Sequence, residues 1–369
     1  MSRVLFYSFT LFYLAALYYL AITLPIGPTE AKDYYTNKEV LGQLMHLCDG
    51  WFSNTLDFRL PFLLFGVLNL LLFLVMSHFY LKEQELSYLA TTIFALLPGI
   101  IASAVIANIA VVVISLVLGF IIAYHKKWIV VQYLLMVLLL FIHDASVIFF
   151  IAVAIYAAFR RDMKLFYVTI FLAAMALFYF NGLDLGGKPK GRFLELFGLY
   201  AALFSPFIFF YFFFALYRIW IQEKKDLLWY IAFSSFIISI LLSIRQQVIM
   251  TDFAPYVIVA VVLMIVVYNR ILNIRLPMFQ RGYRLGYKIV LTSLILSSLI
   301  VIFHKAFFYF MPDKSKHFAY SFYYPYWITL ELAEIGQNCY TTKNQKMKYQ
   351  LKYYGVNSCN ESNVSKIHR

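Results

Sequence analysis

Apolar stretches recur along this chain from Val4 to Phe310, and no other feature restricts its fold as strongly. About 20 apolar residues in a helix match the hydrocarbon thickness of a bilayer. Inside lipid the backbone must satisfy its own hydrogen bonds, which leaves helices and closed barrels as the spanning forms. The stretches here are continuous rather than alternating, so they select helices. Eleven segments follow: Val4 to Leu24, Leu60 to Leu81, Leu86 to Ile101, Ala104 to Ala123, Ile129 to Ile142, Val147 to Phe159, Leu165 to Phe180, Leu196 to Tyr217, Leu227 to Ile244, Pro255 to Tyr268 and Ile289 to Phe310. With 63% hydrophobic and 13% charged residues, too little polar surface remains to cover a water-soluble enzyme of 369 residues, whose charged share would be nearer ~25%. Disordered chains and disulfide-dense secreted modules are excluded on the same grounds. The expected fold is an all-α polytopic membrane protein with about eleven transmembrane helices.

Charge then sets the expected topology. Leu86 to Ala123 is too long for one crossing and breaks near Pro98-Gly99, which predicts a hairpin there. Ile129 to Phe159 folds in two at His143-Asp144, and Leu227 to Tyr268 turns between Arg245 and Asp252. With the amino terminus inside, the inner connections carry Arg3, Lys82, Lys126, Lys127, Arg160, Arg161, Lys164, Arg218, Lys224, Lys225, Arg270, Arg275, Arg281, Arg284 and Lys288. The outer ones carry only Lys32, Lys38, Arg59, Lys188, Lys190, Arg192 and Arg245 before the tail. This bias follows the positive-inside rule and accounts for the net charge of +13 without nucleic acid. The first stretch reads as a signal anchor, lacking a small-residue cleavage site. Residues 1–310 form the expected membrane domain and 311–369 a small outer tail. In this topology Cys48, Cys339 and Cys359 face the oxidising side, where a Cys339–Cys359 bridge is allowed and free thiols are the alternative. Glu361-Ser-Asn363-Val-Ser365 resembles the bacterial asparagine-glycosylation acceptor.

Acids are costly at membrane depth and mark candidate sites. They gather on the outer side: Glu30, Asp33, Asp49 and Asp57 in the first outer loop, then Asp144, Asp184, Glu195 and Asp252. That loop, residues 25–59, is long for a connection, and long loops are often functional. Glu30 and Asp33 stand three apart, on one face if Pro28 to Tyr35 is helical; solvated acids on an amphipathic surface helix are the alternative. The outer cations Lys188, Lys190, Arg192 and Arg245 are candidates for binding a phosphate, with a solvated flexible turn as the alternative for residues 181–192. His143 is a candidate proton carrier or phosphate ligand beside Asp144, or else a turn cap. The aromatic run Phe318 to Trp327 reads as interfacial anchoring. Neither His-x-x-x-His, Cys-x-x-Cys nor Asp-x-Asp occurs, so no metal ligands are predicted.

Glu30-Ala31 followed by Asp33-Tyr34-Tyr35, directly after the first apolar helix, resembles the Asp-Glu-Ala-x-Tyr loop of GT-C glycosyltransferases, the family of protein O-mannosyltransferases and aminoarabinose transferases. Thr29 stands where that family carries Asp. Asp57-Phe-Arg59-Leu-Pro61, running on to Gly66, resembles the family's Arg-Leu-Pro-Ser-x-Leu-x-Gly segment. The resemblance covers roughly the first 80 residues; beyond residue 100 only hydropathy matches. It implies an inverting transfer of a sugar from a polyprenyl-phosphate donor to a glycan, lipid or protein acceptor at the outer face of a bacterial inner membrane. Glu30 maps onto the base and Asp33 onto its partner. Arg59, His143, Asp144, Lys188, Lys190, Arg192, Arg245 and Asp252 are the expected substrate contacts. No cofactor is demanded, and a divalent cation is compatible with the class. Ile142-His143-Asp144-Ala145-Ser146 also resembles a segment of Wzy-like and EpsG-like polysaccharide polymerases, which gives a second reading; a transporter or flippase without chemistry is a third.

Overall fold

The computed structural model describes residues 1–180 and 192–359; the expectations placed on Asp184, Lys188, Lys190 and 361–365 lie outside these. In chain order the helices are α1 (Arg3–Thr23), α2 (Pro28–Thr36), α3 (Val40–Met45), α4 (Leu56–Tyr80), α5 (Gln84–Leu96), α6 (Pro98–Val105), α7 (Ile109–His125), α8 (Ile129–Ile142), α9 (Ser146–Arg160), α10 (Met163–Tyr179), α11 (Phe193–Phe204), α12 (Pro206–Gln222), α13 (Leu227–Ser243), α14 (Met250–Ile258), α15 (Val261–Ile274), α16 (Pro277–Ile302), α17 (His304–Phe310), α18 (Tyr320–Ile335) and α19 (Gln345–Tyr353). Among the described residues there is no β-strand, only an isolated bridge between Cys339 and Asn357. The protein is helical and embedded in a membrane by composition and pattern.

All eleven apolar segments lie on helices. Four spans are long and apolar enough to cross a membrane: α1, α4, α14 with α15, and α16. Two bent pairs, α5 with α6 and α11 with α12, raise this to six. The apolar helices α7, α8, α9, α10 and α13 have 14 to 17 residues. At 1.5 Å per residue they reach about 21 to 26 Å, short of the ~30 Å of a typical hydrocarbon core.

Prolines explain the bends. The residue before a proline is driven out of the helical region, and Leu97 adopts an extended conformation before Pro98. The α5–α6 pair bends there by 64°, and helix continues to Val105. The expected hairpin tip at Pro98-Gly99 is therefore a bend, and the break before α7 falls at 106–108. Likewise Leu196 to Tyr217, expected as one segment, is two helices at 105°. Ser205, with φ +78°, turns the chain ahead of Pro206.

The chain divides into two compact units. The first comprises Met1–Ala15, Leu64–Ala104 and Ile109–Val301. Its helices approach closely where side chains are small: a Cβ on Gly66 would lie 2.6 Å from the Ala104 Cβ, the close small-residue contact typical of membrane helices. Asn69 Nδ2 donates to the Val111 carbonyl at 2.9 Å and its Oδ1 accepts from Ser115 Oγ at 2.7 Å, joining α4 to α7.

The second unit comprises Ala16–Leu63, Val105–Asn108 and Ile302–Arg369. It groups the first outer loop with the tail. Ile328, Leu332, Met347, Leu351 and Val356 form a small core between α18 and α19, flanked by Tyr340. Cys339 and Cys359 are joined by a disulfide, and Cys48 is a buried free thiol. α19 packs on α2. Gln350 Nε2 donates to the carbonyls of Ile26 and Ser321 at 2.8 and 3.1 Å, while the Ile26 N–H donates to Tyr354 Oη at 3.1 Å.

Candidate functional site

The first outer loop is built around one ion pair. Pro28 opens α2 at a position where its missing N–H costs nothing, and Glu30 in the first turn points back to cap it. The Gly27 N–H donates to Glu30 Oε2 at 2.8 Å. Arg59, in the first turn of α4, meets the same carboxylate at two points, Nε to Oε1 at 2.9 Å and Nη2 to Oε2 at 2.6 Å. The Ala107 N–H reaches Oε1 at 2.8 Å. The remaining Arg59 donors go to the carbonyls of Ala21, Leu24 and Pro25. Both side chains are fully buried. One contact thus ties the end of α1, the start of α2, the start of α4 and the 105–108 turn together. A Cβ on Gly27 would lie 2.7 Å from Phe322 and 3.1 Å from Glu30 Oε2, so this corner has no spare room.

The sequence assigned Glu30 to proton abstraction and Arg59 to substrate. A base needs a lone pair facing its acceptor; here four N–H donors occupy the Glu30 carboxylate, and Arg59 has spent all five of its own. The geometry gives this pair an organising part instead. The other loop acids differ sharply. Asp57 accepts from the N–H groups of Gly50, Trp51 and Phe52 and pins the preceding turn. Asp49 accepts from Tyr34 Oη at 3.2 Å and pairs with His46 Nδ1 at 2.5 Å, while His46 Nε2 lies 2.9 Å from the Tyr34 carbonyl. Burial pulls the His46 pKa down, but these bonds and the Asp49 charge outweigh it and raise the value. Asp33 stands apart. It is half-buried, and its carboxylate makes no hydrogen bond to another described residue. Burial pushes its pKa up, opposed by the charges of Lys32 and of Lys346 on α19. Asp33 is thus a half-buried loop acid left open to a ligand, one helical turn from the buried pair, while Glu39, whose carboxylate also has no partner among the described residues, is exposed.

The tail's part in this corner carried no sequence signal. Tyr349 stacks on Tyr35 with ring centres 5.9 Å apart, Tyr353 packs edge-on against Tyr34 and Phe58, and Lys352 lies over the Tyr35 ring at 4.4 Å. Tyr353 and Tyr354 lie 295 or more residues from their loop partners in sequence, a separation no local pattern encodes.

In the first unit, the structure brings together His143, Asp144 and Asp252, all expected from sequence. His143 closes α8, Asp144 lies in the connection to α9, and Asp252 sits in the first turn of α14. A ring nitrogen of His143 and one carboxylate oxygen of each aspartate lie within 4.8 Å of one another. His143 Nδ1 is 3.0 Å from Asp144 Oδ1, and the His143 bond, with a further one from the Ala145 N–H, holds the Asp144 carboxyl below its usual range. The expected phosphate ligand Arg192 instead binds Gln247 Oε1 at 2.7 Å and lies 3.7 Å from Glu195. Its N–H joins the Ser243 carbonyl at 3.1 Å, bringing the start of α11 to the end of α13. Arg245 is exposed just beyond that end.

Comparison with known proteins finds no family model, curated protein or solved structure that matches the chain.

Proposed function

We propose that the chain is an inverting membrane glycosyltransferase that moves a sugar from a polyprenyl-phosphate donor to a hydroxyl acceptor. The observation that carries this reading is the contact between Glu30 and Arg59. These residues belong to the two stretches that resemble GT-C enzymes, and they meet in a buried, two-point ion pair across 29 residues of sequence. A chance likeness gives no reason for its halves to build one corner. In this reading the pair fixes α2, and α2 presents Asp33. The Asp33 carboxylate takes the proton of the acceptor hydroxyl as that oxygen attacks the anomeric carbon. The bond from that carbon to the phosphate oxygen breaks on the opposite face, and the polyprenyl phosphate leaves with the electron pair. Lys346, beside Asp33, places positive charge in the same corner.

The arrangement of the second unit supports an outer location in a bacterial inner membrane. α19 rests on α2, so the first loop and the tail share one side of the bilayer. They do so only if the number of crossings is odd. Among the described residues six spans fail this condition; eleven crossings, which meet it, require each of the five shorter apolar helices to cross as well, where the bilayer thins around them. The inner excess of Lys and Arg then puts both segments outside, where the Cys339–Cys359 disulfide is at home. A Wzy- or EpsG-type polymerase is the second reading, favoured by the polar His143–Asp144 tip.

The test uses the purified full chain in lipid nanodiscs, offered a panel of polyprenyl-phosphate and polyprenyl-pyrophosphate sugars with glycan acceptors, with products read by mass spectrometry. Free polyprenyl monophosphate and an acceptor longer by one sugar are expected. Block transfer from a pyrophosphate carrier would favour the polymerase. An acceptor left unextended by every donor would reject the transferase.

A further inference from the structure

Three helix ends in the first unit converge on an arrangement that the transfer reaction above does not use. His143, Asp144 and Asp252 each offer one ligating atom within 4.8 Å of the others. Ligand atoms around one cation with bonds of about 2.1 Å lie about 3.0 to 4.2 Å apart, and His143 Nδ1 already stands 3.0 Å from Asp144 Oδ1. Two carboxylates this close repel each other unless positive charge or a proton lies between them. Among the described residues neither forms an ion pair with a lysine or arginine; Asp144 pairs with His143 alone.

The buried imidazole points the same way. The His143 side chain is 5% exposed, and its Nε2 has no hydrogen-bond partner among the described residues. Ser146 Oγ, in the turn closed by the Ser146 N–H donating to the His143 carbonyl at 3.1 Å, is likewise buried and unpartnered. Buried polar atoms are nearly always satisfied, so two such atoms in one turn indicate a ligand that completes them. The 3.0 Å from His143 Nδ1 to Asp144 Oδ1 fits two neighbouring ligands of one ion, which puts the imidazole on the metal through Nδ1 and leaves its Nε2–H to a water or anionic oxygen beside the ion. Asp144, 66% exposed, leaves the cluster open to exchange.

We propose that His143, Asp144 and Asp252 bind one divalent first-row cation, with the remaining coordination positions left to water or an anionic oxygen. One imidazole and two carboxylates suit Mn²⁺ or Zn²⁺ better than a thiolate-seeking ion. The site is read by binding alone, so its fate is independent of the transferase reading.

The experiment titrates Mn²⁺ into the chelator-treated full chain in nanodiscs of zwitterionic lipid, following the electron paramagnetic resonance signal of the free ion. Saturable binding of one ion per chain is expected, with pulsed measurements showing a directly bound imidazole nitrogen. His143→Gln should remove the nitrogen signal. Asp144→Asn and Asp252→Asn should each weaken binding by about tenfold or more. Size-exclusion profiles identify any variant that does not fold, and the nitrogen signal of the unaltered protein decides the matter without variants. Absence of saturable binding, absence of a bound nitrogen, or survival of that signal in folded His143→Gln would overturn the proposal.

Discussion

Glu30 and Arg59 show what a motif does and does not say at the scale of single residues. Their types and spacing marked them from the sequence, because an acid just after one apolar helix and an arginine just before the next are costly where they stand. Their roles were not legible, because a carboxylate's availability depends on where its lone pairs point. That depends on the N–H groups of Gly27 and Ala107, which no side-chain pattern announces. The pair is buried and fully hydrogen-bonded, so removing one charge leaves the other stranded, at a cost of about 3 to 5 kcal/mol. Glu30→Gln should therefore act first on folding: the unfolding free energy in detergent should fall by that amount, with turnover per folded molecule much less affected. Unchanged stability with abolished turnover would return Glu30 to the part of base.

Among the elements, α2 and the apolar helices were readable and the joints between them were not. Glu30 and Asp33 share a face if Pro28 to Tyr35 is helical, and α2 meets that condition. The hairpin expected at Pro98-Gly99 failed because proline bends a helix without necessarily ending it. Ser205-Pro206 was passed over because Phe204 and Phe207 on either side keep the apolar pattern unbroken through a 105° turn. The packing of α19 on α2 joins elements more than 300 residues apart and left no trace in local periodicity. Its anchor is open to test. The Cys339–Cys359 disulfide spans 20 residues, and closing such a loop in the unfolded chain is worth about 3 kcal/mol. The double variant Cys339→Ser, Cys359→Ser should loosen the end of the tail, seen as faster proteolysis near residues 338–359 while the first unit stays protected. Equal proteolysis rates in both forms would show that the small core of Ile328, Leu332, Met347, Leu351 and Val356 holds the tail unaided.

At the scale of the whole molecule, composition alone gave the class, charge bias gave an expected orientation, and the first loop and the tail lie together. An alkaline phosphatase reporter fused near Tyr354 should be active, and a cytoplasmic fluorescent reporter at the same point dark; the opposite pattern would place loop and tail inside and remove the oxidising environment of the disulfide. The central claim is that Asp33, held out by the Glu30–Arg59 corner, removes the acceptor's proton. The most direct measurement is donor turnover by purified Asp33→Asn against the unaltered chain, across pH and at equal amounts of folded protein. A positioned carboxylate base contributes about 10²- to 10⁴-fold, so the variant should lose that factor while unfolding at the same temperature. A base works only when deprotonated, so turnover of the unaltered chain should fall as the pH drops through the Asp33 pKa. Burial raises that pKa, placing the inflection above the ordinary aspartate value of 3.8, and the variant should lack this limb. Full turnover by Asp33→Asn, with the acid limb intact, would contradict the account.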